Sequence, residues 1–93
     1  MTIQLKKFGK ALVTRQDAKL VLQAIGVPGD TPSFDFSGVA VANHPFADEL
    51  GKGLVAYFHV VDLAKVKLIG TNPYVKNCLE AGFSTAANSF HAL

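Results

Sequence analysis

Residues 35–54 read DFSGVAVANHPFADELGKGL, and the fold turns on how that stretch is divided. Together with Phe34, its first part (34–41, FDFSGVAV) places Phe34, Phe36 and Val39 toward a core and predicts one short strand. After Asn43-His44-Pro45, the residues 46–62 repeat apolar side chains at Phe46, Leu50, Leu54, Phe58 and Val61, the spacing of one helix face. A strand that passes almost directly into a helix is the unit of an α/β fold. Gly51 and Gly53 each lower helix propensity by about 1 kcal/mol, so this helix is expected either to pack unusually close to the sheet there or to bend.

The same unit recurs on both sides. Upstream, 2–8 (TIQLKKF) alternates Ile3 and Leu5 with polar residues and reads as an edge or half-buried strand, turned by Gly9. In 14–26 (TRQDAKLVLQAIG), Thr14 is a helix cap with Asp17 three residues on, Ala18, Val21, Leu22 and Ile25 form one face, and Gly26 is the stop. A Pro/Gly/Asp loop, 27–33, follows. Downstream, 66–70 (VKLIG) is a third strand. The segment 72–83 (NPYVKNCLEAGF) is a helix with Asn72 as cap, Pro73 in the first turn, Val75, Cys78 and Leu79 inward and Gly82 as the end. No element is assigned to 84–93. Short connections imply right-handed crossovers and at least partly parallel pairing in a small mixed sheet flanked by helices. The chain has 93 residues, 49% of them hydrophobic, which suits a single domain over 1–93.

Composition excludes several function classes. The lone Cys78 allows no internal disulfide, and no Cys/His cluster has ligand spacing, so neither a structural metal nor a cofactor is expected. With no run approaching the roughly 20 apolar residues of a membrane span and no secretory pattern, the expectation is a soluble, cytoplasmic chain. Charge is unevenly spread. Residues 1–25 hold five basic side chains (Lys6, Lys7, Lys10, Arg15, Lys19) against Asp17 alone, whereas 26–50 hold Asp30, Asp35, Asp48 and Glu49 with no Lys or Arg. Such a dipolar chain suits docking on a charged protein surface, and its net charge of +2 disfavours a nucleic-acid partner.

The pieces LVTR (12–15), DFSGV (35–39) and PFADEL (45–50) resemble the STAS-like domains (sulfate transporter and anti-sigma factor antagonist type), in particular a small bacterial and phage STAS-like family of unknown function. The likeness spans about 8–83. It implies partner switching: a regulatory module that binds a histidine-kinase-like ATPase or another protein. In classical members a phosphorylatable serine opens the helix that follows the strand. Here His44 and Pro45 hold the matching positions, and the nearest hydroxyl, Ser37, suits a turn contact. A small phage-encoded inhibitor of a host protein complex, and a small enzyme or ligand binder using His44, are the rival readings.

Chemistry-bearing residues were weighed one by one. No nucleophile pairs with His44, and His59 and His91 have no second ligand at i+3 or i+4, so no catalytic or metal residue is assigned. The glycines of 26–30 and 51–53 do not form a phosphate loop. Asp48 and Glu49 diverge by about 100° on a helix and are expected to complement its first-turn dipole. Arg15 opens a helix at the end that disfavours a cation, so it is expected to pair with Asp35, Asp48 or a partner's carboxylate. The partner-binding set is accordingly Arg15, Ser37, Asn43, His44, Asp48 and Glu49.

Overall fold

The computed structural model describes residues 2–25, 32–58 and 66–91. The elements run β1 (Thr2–Gln4), a 3-10 turn (Leu5–Phe8), β2 (Ala11–Leu12), α1 (Arg15–Ile25), β3 (Ser33–Asp35), β4 (Val41–Ala42), α2 (His44–Phe58), β5 (Leu68–Ile69) and α3 (Pro73–His91). This is an α/β fold, as its strand-to-helix alternation requires. Every described strand pairing is parallel, and the strands divide into two small sheets, one ordered β1-β3-β5 and the other β2-β4.

That division corrects the reading of 34–41 as one strand. The Asp35 side chain accepts the Ser37 N–H at 2.9 Å, closing a turn at the end of β3. The Val39 N–H then bonds the Phe36 carbonyl at 2.9 Å, across Gly38 with φ +84°. A positive φ costs glycine little and costs other residues much, so Gly38 breaks the strand and sends the chain to pair with β2 instead. The strand expected over 2–8 is likewise shorter: it ends at Gln4, where the 3-10 turn buries Leu5. Beyond Gly9, β2 is a strand that periodicity did not reveal, because two residues are too few to alternate.

Helix starts follow local chemistry. The Thr14 hydroxyl accepts the Asp17 N–H at 3.1 Å, while the Asp17 carboxylate accepts the N–H groups of Val13 and Thr14, a reciprocal cap on α1. Asn72 caps α3 by accepting the Val75 N–H at 2.7 Å. The predicted stop at Gly26 and the residues beyond Phe58 in the second predicted helix lie outside the described residues.

The core joins the inner faces of these elements. Phe34, Phe36, Leu50, Leu54 and Leu79 are fully buried in one cluster, with Leu68 packed against it. Helix α3 does not end at Gly82 but continues to His91. Gly82 is instead the point where α3 crosses α2: a β-carbon there would meet that of Ala47 and lie 2.9 Å from the Asp48 backbone nitrogen. Gly53 plays the matching part between α2 and α1, where a β-carbon would meet the Leu22 methyl groups. The close approach expected at these glycines is therefore made at Gly53 to helix α1, and not to the sheet. Cys78, expected inward, is only half-buried.

Candidate functional site: the shared edge of the three helix starts

Strands β2 and β4 lie parallel with Leu12 opposite Ala42, and each is followed within three residues by a helix. Their helices therefore begin side by side at the C-terminal edge of that sheet, where open α/β folds gather ligands and partners. The Asn43 N–H bonds the Leu12 carbonyl at 3.1 Å and ties the two exits together. Asn72 fixes the start of α3 against the run into β4, its side-chain amide donating to the carbonyls of Val39 (3.5 Å) and Ala40 (3.3 Å), and from there Tyr74 reaches Asn43 at the edge.

The six residues expected to bind a partner fall into three groups on this scaffold. In the first, Arg15 donates to Asp48 at 2.7 Å and to Glu49 at 3.4 Å, so the arginine placed against its helix dipole has an internal reason to be there. Lys52 completes the cluster at 3.1 Å from Asp48. Asp48 is not a surface residue: its side chain is 3% exposed, against 48% for Arg15. Nor does it serve the first turn of α2, because the helix begins at His44 and its first turn carries no acid. Two residues 100° apart converge here because one long guanidinium reaches both. Asp35, the other pairing considered for Arg15, stays in its own turn.

Burial pushes the Asp48 carboxyl up, but the hydrogen bonds and charges of Arg15 and Lys52 outweigh it and hold the group below the ordinary carboxylate range. The same Asp48 hydrogen bond raises Arg15, against a smaller opposing effect of desolvation. Asp48 Oδ1 is buried with no partner among the described residues.

The second group stands where α2 meets α3. His44 Nε2 lies 2.9 Å from the Thr85 hydroxyl, which also stands 3.1 Å from the Ala81 carbonyl as a donor. The Tyr74 hydroxyl donates to Asn43 Oδ1 at 3.4 Å. Tyr74 is 52% exposed, with Leu20 one of two large apolar side chains left in water among the described residues. The Tyr74 hydroxyl is pushed above its ordinary pKa by its electrostatic interaction with Cys78, then by hydrogen bonding to it and by burial; like any phenol it is protonated and able to donate at neutral pH.

Ser37 forms the third group, apart from the others. It sits against Gly70 (φ +70°), where a β-carbon would lie 2.9 Å from the Ser37 nitrogen. Its backbone N–H, then its hydroxyl, hold Asp35 below the ordinary carboxylate range. A depression of about 270 Å³ opens beside it, lined by Gln4, Lys6, Asp35, Ser37 and Gly38.

Sequence reasoning missed Tyr74, Thr85 and Lys52. Lys52 was legible as the i+4 partner of Asp48. Tyr74 and Thr85 were not, because their roles depend on α3 crossing α2. Among the described residues, no group of three or more His, Cys, Asp and Glu could hold a metal ion, and no helix is long and apolar enough to cross a membrane. No family model, curated protein or solved structure matches this chain.

Proposed function

We propose that this chain is a non-enzymatic protein-interaction module of the regulatory, STAS-like kind, docking a partner at the edge where the three helices begin. Support comes chiefly from Tyr74: a half-exposed aromatic, anchored by its hydroxyl to Asn43, the chain neighbour of the exposed His44, is the type of group that dominates protein interfaces. The docking set is then Asn43, His44 and Tyr74, and Ser37, apart at the turn after β3, is not part of it. Asp48 and Glu49, tied to Arg15, support the surface from below and do not meet the partner themselves. A catalytic role for His44 gains no support, since its described hydrogen-bond partner is Thr85 and no thiol or carboxylate stands with it.

The test is quantitative capture on immobilised wild-type chain and on His44→Ala and Tyr74→Ala variants. The wild type is expected to enrich a discrete protein that both variants lose by about tenfold, each truncation removing about 1–2 kcal/mol of binding. Equal capture by both variants, at unchanged melting temperature, refutes the assignment.

A further inference from the structure

The fold redistributes charge in a way the linear sequence conceals. Of the acids in 26–50, Asp48 and Glu49 are neutralised by Arg15 and Lys52, and Asp35 turns its Oδ1 to the Ser37 N–H. Asp17 is spent on the cap of α1. Lys6, Lys7 and Lys10 are left over: no described carboxylate lies within ion-pair distance of them, and the one contact given for Lys7 is the Phe8 ring at 5.7 Å. These lysines lie where the chain enters β2 and β4, at the other end of that small sheet from Asn43 and His44. The Lys6 side chain packs where a β-carbon on Gly38 would lie (2.9 Å to Cδ), and the Lys10 carbonyl accepts the N–H groups of Ala40 and Val41. Lys6 also lines the depression beside Ser37, with Gln4 as a further polar group.

We propose that this face, beside the docking edge, receives an acidic segment of a protein partner, one carboxylate entering the depression at Lys6 and the next ones meeting Lys7 and Lys10. The inference rests on the docking function above and specifies the chemistry of the partner. Lys6, Lys7 and Lys10 are exposed and have no described carboxylate within ion-pair distance, and Asp35 is the one acid lining the depression beside Lys6, so the local field draws an anion. A nucleic acid fits less well. The basic set is confined to five residues, Asp35 lines the depression with Lys6, and the one aromatic among the lysines, Phe8, is already covered by Lys7.

The experiment titrates the isotope-labelled full chain with a short blocked peptide carrying glutamate at alternate positions, and follows backbone amide shifts. Its glutamine counterpart and an oligothymidylate of equal length are the comparison probes. Shifts are expected at residues 5–10 and 35–40, falling away with added salt and absent with the glutamine peptide. The double variant K6Q/K10Q should bind roughly fivefold to tenfold more weakly, K6R/K10R should retain binding, and K67Q/K76Q should behave as wild type. Shifts confined to other residues, full binding by K6Q/K10Q, or tighter binding of the oligothymidylate at these lysines would overturn the proposal. The titration reads binding at these lysines and the capture experiment reads loss on His44→Ala and Tyr74→Ala, so failure here is distinct from failure there.

Discussion

Replacing Gly82 by Ala puts the packing of α2 on α3 to a direct test. As a helix terminator with positive φ, Gly82 would cost about 1 kcal/mol to replace; in an open helix interior, Ala would instead stabilise by about the same amount. The structure predicts neither outcome. The added methyl would strike Ala47 and come within 2.9 Å of the Asp48 nitrogen and 3.0 Å of the Ala47 carbonyl carbon. These are backbone or backbone-adjacent atoms of a helix, so relief requires α2 and α3 to move apart and loosens Val75, Leu79, Leu50 and Leu54 in the shared core. Overpacking of this kind costs about 3 kcal/mol when side chains cannot yield; subtracting about 1 kcal/mol of helix propensity leaves a net loss of about 2. For a domain of this size that lowers Tm by roughly 8–16 °C. Gly53→Ala is the internal comparison. Its methyl meets the ends of the Leu22 side chain, which is only partly buried and can change rotamer, so its net effect should stay within about 1 kcal/mol. Thermal and urea denaturation followed by circular dichroism give both numbers. A Gly82→Ala variant as stable as wild type, or more so, would refute the close crossing.

Leu54→Ala should cost about 2–5 kcal/mol, read from urea midpoints, because Leu54 is fully buried between helix and sheet. Arg15→Ala, which the sequence reading would count as a harmless surface change, should lower the melting temperature by leaving the enclosed Asp48 carboxylate to Lys52 alone, whereas His44→Ala should leave it unchanged. Asp48 and Asp35 both have folded-state pKa values below their unfolded ones. Their contribution to stability is therefore fully present above about pH 4 and is lost as pH falls through the folded values. Melting temperature should hold from neutral pH to about 5 and fall below about 4, with a shallower fall in Asp48→Asn.

Much of the architecture is a local matter and could be read from the chain. The cap at Thr14 with Asp17, the cap at Asn72, the apolar face of α2 and the order of the helices all depend on residues a few positions apart, whose spacing is visible without coordinates. The α/β class follows from them. The expected core residues Phe34, Phe36, Leu50, Leu54, Leu68 and Leu79 meet because periodic faces can be buried only against one another. Of the candidate edge, the sequence exposed His44 and Asn43, since each lies between a strand and a helix start.

What depends on groups far apart in the chain was decided by tertiary structure. Whether Gly82 ends a helix or admits another one cannot be told from its own neighbours, because the reason for it is Ala47, on a different helix. The break of 34–41 into two sheets required a second partner strand, β2, only two residues long. Two of the four acids in 26–50, Asp48 and Glu49, are paired once Arg15, thirty-three positions from Asp48, closes on it at 2.7 Å. Charge patterns along a sequence describe the unfolded chain, where screening separates such groups; folding brings them within contact and leaves a different set, Lys6, Lys7 and Lys10, facing outward.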